Sequence, residues 1–251
     1  MTRLKRNHPL PLYVQLYEAL RADIYAQRLK PHEQLPSERE FCARFRVSRM
    51  TVRQALISLT RDGLIYSRVG KGTFVGEPKI DQQLKTLTGF SQEMSSRGST
   101  PSSRVLEAKL QTASPDLAKA IRVSAGTEIV VLTRVRLADG VPLAVETVHL
   151  PHSLCPNLLS HDFSTESLYD VLEREYGYRL TRAEQTIEAA LANPREIATL
   201  QLVPPAPVLV MERLTFTDQD ILIEHVQSTY RGDRYKFRSM LAPRPDVRTV
   251  G

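Results

Sequence analysis

Two arginines stand two residues apart in an otherwise apolar stretch of the chain. Arg134 and Arg136 interrupt residues 129–137, where all the remaining residues except Thr133 are Ile, Val or Leu. Side chains two residues apart on a strand point to the same face, so the pattern predicts two guanidinium groups on one buried face. Two like charges removed from water need an anion. The sequence therefore predicts an anion-binding site.

The turn after these arginines decides whether a carboxylate joins them. If residues 138–140 form a three-residue loop, Arg134 lies opposite Ala144, and Glu146 points to the same face as both arginines. A two-residue Asp-Gly turn would place Glu146 on the other face, because a shift of one residue reverses every side chain. Both registers are compatible with the sequence, and only the first completes the site.

Further polar groups suit a hydroxylated ligand. Residues 162–176 predict a helix that is stopped by Gly177, and hydroxyl groups crowd its first turn at residues 164–169. The free amides and positive dipole of a helix start make a ready phosphate site. Glu224 and Tyr230 are an even number of residues apart on a predicted strand, so they can offer a carboxylate and a phenol to sugar hydroxyls. Together these groups favour a small, anionic, hydroxylated ligand.

These residues do not form an obvious active site. The sequence pairs no nucleophile with a base, and the two cysteines, Cys42 and Cys155, lack metal-ligand spacing. We therefore expect no catalytic residue, metal or cofactor, and two reduced thiols. Binding is favoured over catalysis.

A second set of donors lies nearer the N-terminus. Residues 52, 55, 56 and 59 are apolar and fall on one stripe of a predicted helix. Arg49 and Arg53 flank that stripe and Gln54 lies opposite it. Arginine and glutamine carry donors that match guanine and adenine edges in the major groove of DNA. The pattern predicts a recognition helix.

Helix caps and turn residues define the elements around this helix. Ser37 and Glu40 form a capping box that starts one helix, and Ser48 caps the next after a break at residues 46–48. Gly63 ends the second helix. Two short strands at residues 64–66 and 73–75 then enclose a basic, glycine-containing loop. Helix, turn, helix and basic hairpin in this order are typical of a winged helix-turn-helix.

Charge divides the chain into two parts. The net charge of +6 over 251 residues combines +8 for residues 1–76 with −2 for residues 77–251, so the basic charge lies where DNA contact is predicted. We expect a DNA-binding domain at 1–76, a linker at 77–86 and a second domain at 87–251. With no apolar run of about 18 residues and no hydrophobic signal core, a cytoplasmic protein is expected.

The second part alternates predicted strands with short helices, as in an α+β domain with a mostly antiparallel sheet. Helices are expected to begin at Ser91, at Ser114-Pro115 and at Asn193-Pro194, besides the one at residues 162–176. The predicted strands are residues 105–110, 128–137, 143–150, 180–191, 208–217, 221–230 and 236–241.

The first part resembles the DNA-binding domain of the GntR family of bacterial transcription regulators, through LPSERE, VSRMTVRQAL, LTRDGLI and GKGTFV. The resemblance implies three sets of DNA contacts. Arg39, Arg49 and Arg53 would contact bases or phosphates. Ser48 and Thr51 would bind phosphates. Gly70 would enter the minor groove, with Lys71 beside it.

The second part resembles the UTRA effector domain of the HutC branch, whose fold is similar to that of chorismate lyase. The motifs are LTGFSQEM, TRVRLADGVPLAVETVHLP, SLYDVL, AEQTIEAALA and VQSTYRGDRYKF. They look most like members that respond to N-acetylglucosamine 6-phosphate. The resemblance implies that the phosphate is held by Ser91, Arg134, Arg136, Ser167 and Tyr169 near the Phe90 backbone, and the sugar hydroxyls by Glu146, Glu224 and Tyr230.

The resemblance also implies partners and a mechanism. It implies a homodimer that binds a palindromic operator and represses aminosugar utilisation genes until a sugar phosphate binds. Trehalose 6-phosphate, another sugar phosphate or a urocanate-like acid are alternative effectors that would use the same arginines. A lyase-like enzyme is an alternative of a different class.

Overall fold

The structure is a computed structural model that describes residues 4–6, 8–68, 70–76 and 79–241. The chain divides after Ile80 into two compact units. Val69 of the predicted basic loop, residues 77–78 of the predicted linker, and residues 242–251 lie outside the described residues. No helix in the described part of the chain is long and apolar enough to cross a membrane.

The first unit packs three helices against a hairpin. Its core is shared by all of these elements, and Leu20, Phe41 and Leu59 in it are at most 1% exposed. The elements are α1 (Leu12–Tyr25), α2 (Glu38–Phe45), α3 (Arg49–Arg61), β1 (Ile65–Arg68) and β2 (Gly72–Val75).

Side-chain caps start α2 and α3, as predicted. The Ser37 hydroxyl accepts a hydrogen bond from the Glu40 amide, while the Glu40 carboxylate accepts one from the Ser37 amide. The Ser48 hydroxyl accepts one from the Thr51 amide. Between the helices, Arg46 adopts a left-handed conformation with φ of 53°, which reverses the chain. The predicted break at residues 46–48 is confirmed.

The hairpin after α3 follows the predicted order. β1 pairs antiparallel with β2, and Arg68 lies opposite Gly72. Gly70 has φ of +71°, a conformation that favours glycine. The Gln34 side-chain amide donates a hydrogen bond to the Lys71 carbonyl at 2.9 Å, which fixes the end of the loop. Leu64, predicted to begin the first strand, precedes it and packs in the core.

The second unit confirms the predicted α+β fold. It contains a six-stranded antiparallel sheet in the order β4-β5-β6-β9-β8-β7, and a separate pairing of β3 with β10. The strands are β3 (Ile80–Gln83), β4 (Pro101–Thr112), β5 (Glu128–Ala138), β6 (Val141–Pro151), β7 (Leu180–Leu191), β8 (Pro207–Thr217), β9 (Leu222–Arg231) and β10 (Tyr235–Arg238). The helices are α4 (Phe90–Ser96), α5 (Pro115–Ala120), α6 (Leu168–Tyr176) and α7 (Pro194–Leu200).

Two helix starts differ from those predicted. α4 begins at Phe90 with Gly89 at its N-cap, so Ser91 is not a cap and its hydroxyl is available to another group. α6 begins at Leu168 rather than Asp162. The reason is local: the Asp162 carboxylate accepts hydrogen bonds from the Ser164 amide at 3.0 Å and hydroxyl at 2.6 Å, which closes a turn before the helix.

One strand was not predicted. Residues 80–83 fall within the predicted linker, yet they form β3 beside β10. Asp81 forms ion pairs with Lys236, at 3.0 Å, and with Arg238 on β10. These ion pairs join β3 to β10, which is more than 150 residues away in the chain, so the local sequence does not predict that residues 80–83 form a strand.

The register of β5 and β6 differs from both predicted alternatives. Asp139 and Gly140 form a two-residue turn with φ of 50° and 78°. By itself that turn would put Glu146 on the face of the sheet opposite to that of Arg134 and Arg136. However, Leu143 is an extra residue in β6, because Leu137 pairs with Pro142 and the next residue back, Arg136, pairs with Ala144. This β-bulge restores the alternation, and the predicted pairing of Arg134 with Ala144 is wrong.

Candidate binding sites

One cavity in the second unit is floored by the sheet and closed by the starts of α4 and α6. Its floor is formed by β5, β6, β8 and β9. The nine residues predicted to bind an effector all line it: Phe90, Ser91, Arg134, Arg136, Glu146, Ser167, Tyr169, Glu224 and Tyr230.

Two buried arginines and one carboxylate form the charged end of this cavity. Arg134 and Arg136 are only 2% and 3% exposed. Arg134 Nη2 donates to Glu146 Oε1 at 2.6 Å, and Arg136 Nη1 lies 3.7 Å from the same oxygen. Burial alone would raise the pKa of Glu146, but the two arginine charges outweigh it and hold that pKa below its usual value. One carboxylate thus serves two cations.

Several donors at this end have no acceptor in the part of the chain that the structure describes. Within the described residues, Nε and Nη1 of Arg134 and Nε of Arg136 are buried without a hydrogen bond. Burial lowers the pKa of Arg136 to about 10. A buried guanidinium with unused donors is costly unless an anion completes it. This end of the cavity is therefore suited to an anion with several acceptor oxygens.

The starts of α4 and α6 border the arginines. Arg136 Nη2 donates to Ser91 Oγ at 3.0 Å, and its guanidinium lies 4.6 Å from the centre of the Phe90 ring. Ser167 caps α6 by accepting from the Asp170 amide at 3.4 Å. The first amides of a helix lack partners within the helix. The amides of Leu168 and Tyr169, which come before Asp170 at the start of α6, are therefore additional donors for an anion.

The other end of the cavity is formed around the carboxyl group of Glu224 and is called the carboxyl end. Glu224 is 1% exposed. Its Oε1 accepts from the Tyr169 hydroxyl at 2.6 Å and from Thr215 Oγ1 at 2.8 Å. Its Oε2 is buried without a partner among the described residues. Burial raises the pKa of Glu224, and burial together with the Glu224 charge raises that of Tyr169. The Tyr169 hydroxyl therefore belongs to the carboxyl end.

Tyr230 completes this wall of the cavity. It is 6% exposed, and its ring packs 4.7 Å from that of Tyr235 and 5.7 Å from that of Phe237, measured between centroids. Burial raises the pKa of its phenol to about 12, so the hydroxyl is a neutral donor at physiological pH.

Sequence reasoning missed five polar residues that line the cavity: Gln82, Thr88, Glu93, Arg213 and Ser228. It also missed Thr215, which donates a hydrogen bond to Glu224. Arg213 is a third cation, and its Nε donates to Gln185 Oε1 at 2.8 Å. Ser228 is 3% exposed and pairs with Glu146 on β6 and with Met211 on β8. The signal was available for some of them. Arg213 and Thr215 are two residues apart on β8, and Ser228 is an even number of residues from both of the predicted residues Glu224 and Tyr230. What the sequence withholds is which face of β8 meets the cavity.

The residues predicted to contact DNA lie on the surface of the first unit. The side chains of α3 are exposed at Arg49, Arg53 and Gln54, opposite a buried stripe at Val52, Ala55 and Leu59. Thr51 is half-buried, and its hydroxyl lies 2.9 Å from that of Ser48. The remaining predicted contacts, Arg39, Gly70 and Lys71, are also exposed.

Comparisons with known proteins assign both units. Residues 12–75 match the model for bacterial regulatory proteins of the gntR family, and residues 96–236 match the UTRA domain. The chain is 41% identical over 234 residues to the HTH-type transcriptional repressor NagR of Bacillus subtilis, covering 93% of this chain and 96% of the relative. It is 32% identical over 209 residues to a histidine utilization repressor of Pseudomonas putida, covering 83% and 84%.

A solved structure agrees with these assignments. The crystal structure of PhnF from Mycobacterium smegmatis superposes with a TM-score of 0.66 at 32% identity, covering 90% of this chain and 99% of that chain. Two matched domains in the same order, with relatives spanning nearly the whole chain, fix the family. The chain belongs to the GntR family of bacterial transcription regulators, in its HutC branch, as a DNA-binding regulator with a UTRA effector domain.

Proposed function

We propose that this protein represses aminosugar utilisation genes and that N-acetylglucosamine 6-phosphate is its effector. The observation that carries the proposal is the pair of buried arginines that line the cavity. They keep donors without a partner among the described residues, while a single carboxylate neutralises them only in part. The 41% identity to NagR and the sequence resemblance to regulators that respond to this sugar phosphate support the same effector.

The phosphate binds at the charged end of the cavity. Arginine forks match phosphate oxygens in pairs, and charge-assisted hydrogen bonds are stronger than neutral ones. Arg134, Arg136 and Ser91 supply side-chain donors, while Ser167 and the amides that follow it supply the start of α6.

The sugar ring binds at the carboxyl end. Glu224 offers a buried Oε2 that has no partner in the described part of the chain, and the Tyr230 phenol offers a neutral donor. Glu146 lies at the charged end beside the arginines and pairs across the sheet with Ser228, and it is proposed to accept from a sugar hydroxyl there. A ligand that carries both an anion and several hydroxyls uses the whole cavity, whereas a phosphate ion uses half of it.

A second effector class remains a candidate because a relative at 32% identity is named a histidine utilization repressor. An acid such as urocanate would present a carboxylate to the arginines. Trehalose 6-phosphate would present the same phosphate on a larger ring system. The discriminating feature is whether the carboxyl end binds sugar hydroxyls.

Operator binding uses the first unit. The proposed contacts to bases or backbone come from Arg39, Arg49, Arg53 and Gln54. Ser48 and Thr51 hold phosphates, and Gly70 enters the minor groove with Lys71 beside it. We propose a cytoplasmic homodimer that places its two α3 helices in successive major grooves of a palindromic site. The effector binds a DNA-incompetent arrangement of the protein more tightly than the DNA-competent one, and residues 76–86 transmit the change to the first unit. By linkage, bound effector lowers the affinity for the operator by the same factor as bound operator lowers the affinity for the effector.

The test is isothermal titration of the full-length protein with N-acetylglucosamine 6-phosphate. Unphosphorylated N-acetylglucosamine, trehalose 6-phosphate and urocanate are the comparison ligands. Saturable binding of the aminosugar phosphate alone is expected, with release of operator DNA at the same concentrations. Binding of another ligand in its place would contradict the effector assignment. Mass spectrometry should recover the ligand unchanged, since the cavity is proposed to bind and not to transform it.

A further inference from the structure

The recognition helix carries an exposed apolar side chain at its start. Met50 is the second residue of α3 and is 63% exposed. It lies between Arg49 and Thr51, which are predicted DNA contacts. Residues at the start of a recognition helix are those that reach base edges in helix-turn-helix proteins. Met50 therefore occupies a position that can read sequence, although the polar pattern of the helix did not single it out.

Helix geometry places Met50 at the centre of the outward face. Val52, Ala55 and Leu59 are 0% exposed and mark the inward face. At 3.6 residues per turn, Met50 falls roughly opposite that stripe, on the same side as Gln54. Arg49 and Arg53 lie to one side of it. The side chain that points most directly away from the core is thus a thioether, with basic groups beside it.

The partner of such a side chain follows from the chemistry of the major groove. Guanidinium groups suit phosphates and guanine, and an amide suits adenine, but a thioether neither donates nor accepts strongly. The apolar group on a major-groove base edge is the 5-methyl of thymine. Methionine is flexible and polarisable, so it adapts to a small methyl surface. We propose that Met50 reads a thymine methyl in each half of the operator.

Another exposed apolar residue of the same helix provides a control. Ile57 is 58% exposed, two turns further along α3. It lines a groove formed with Ser67 and Thr73 of the hairpin, near the other end of the helix. A general effect of removing exposed apolar surface from α3 would appear in both Met50 and Ile57 variants. A contact with thymine would appear only at Met50.

The expected size of the effect is modest and measurable. Removing one buried methyl is worth about 0.8 kcal/mol, which is about fourfold in dissociation constant. Replacing thymine by uracil removes that methyl and leaves base pairing intact. Met50→Gln keeps the length and helix preference of the side chain, and Met50→Ala shortens it. Because Met50 is exposed, both variants are expected to fold, which circular dichroism checks.

The experiment begins with the duplex that the full-length protein selects from a random-sequence pool. Each thymine of that duplex is then replaced by uracil in turn, and affinity is measured for wild type, Met50→Gln, Met50→Ala and Ile57→Ala. For one symmetric pair of thymines, we expect wild type and Ile57→Ala to lose about fourfold in affinity when either thymine of the pair is replaced, and neither Met50 variant to lose affinity at these positions. A double-mutant cycle that combines the Met50 substitution with the thymine-to-uracil replacement gives the coupling free energy between the side chain and the methyl group.

Two results would overturn the proposal. One is a selected duplex in which no uracil replacement weakens wild-type binding. The other is a loss at that thymine pair that persists in both Met50 variants. Either result leaves the family assignment and the effector site intact. Failure to select any sequence would contradict the proposed operator contacts of α3 as well as the role of Met50.

Discussion

Arg134 and Glu146 lie directly opposite each other on β5 and β6, with 2.6 Å between Nη2 and Oε1. This pairing depends on one extra residue, Leu143, which returns Glu146 to the arginine face after a two-residue turn. Glu146 satisfies one donor of Arg134 and leaves two others without a partner among the described residues. The pair thus stabilises a buried cation and leaves donors for a ligand.

The first prediction concerns the charge balance of this pair. Glu146→Gln leaves two buried arginines without a counter-ion, so the unfolding free energy should fall by about 3–5 kcal/mol. Inorganic phosphate should then raise the melting temperature more in the variant than in wild type. Glu184→Gln, which breaks an exposed pair with Arg182, should cost at most about 1 kcal/mol. Equal melting temperatures for wild type and Glu146→Gln would refute the expectation.

The second prediction separates the ligand site from the DNA site. Arg134→Ala combined with Arg136→Ala removes the charge-assisted donors, and effector affinity should fall by about 100-fold or more. Operator affinity in the absence of effector should stay unchanged, as measured by fluorescence anisotropy. Arg104→Ala, at an exposed position on β4, is the control. An effector response that survives the double change would exclude the phosphate assignment.

The third prediction tests the place of Tyr169, whose hydroxyl donates to Glu224 at 2.6 Å. Tyr169→Phe should weaken binding of the sugar phosphate and leave affinity for inorganic phosphate unchanged. It should also cost about 1–3 kcal/mol of stability, because a buried carboxyl loses a donor. Thr215→Val, which removes the other donor to the same oxygen, should behave alike. A parallel loss of phosphate affinity would place the Tyr169 hydroxyl on the phosphate instead.

The fourth prediction is a pH dependence of stability. Burial, and then the neighbouring His225, lower the pKa of His149 to about 4. The unfolded chain binds this proton near its usual pKa of about 6.5. Between these two values the unfolded state holds more protons, so stability falls as the pH falls through this window.

Thermal unfolding between pH 7 and pH 4 measures this effect. His149→Gln should reduce the loss of melting temperature over the window, because the variant has no proton to take up at this position. His8→Gln, at an exposed position in the first unit, should leave the pH profile of the second unit unchanged. Identical profiles for wild type and His149→Gln would show that other groups set the acid limit.

The fifth prediction concerns the hairpin loop. Lys71 is exposed beside Gly70, whose φ is +71°. If its ammonium neutralises one phosphate in each half of the operator, Lys71→Ala should reduce the magnitude of the slope of log affinity against log salt by about 0.9 per subunit, or about 1.8 for the dimer. Operator and non-specific DNA should weaken to a similar extent, because a phosphate contact carries no base information. A salt slope equal to that of wild type would remove Lys71 from the backbone contacts.

Local sequence determined the first unit almost completely. Ser37, Glu40 and Ser48 fix the starts of α2 and α3 through side-chain to amide hydrogen bonds that span only three residues. Helical periodicity then identified the buried and exposed faces of α3. These features can be predicted from sequence because the residues that interact are close together along the chain, within about one helical turn. An exposed methionine gives no such local signal, so Met50 stood out only through its exposure.

The site in the second unit was determined in part by sequence. Alternation along single strands was sufficient to place Arg134 with Arg136 and Glu224 with Tyr230, because the period of a strand is local. Tertiary structure alone decided which strands meet. The β-bulge at Leu143 set the face of Glu146, and the pairing of β8 with β9 brought Arg213 to the cavity. Strand register depends on contacts between residues far apart in the chain, and no local pattern encodes them.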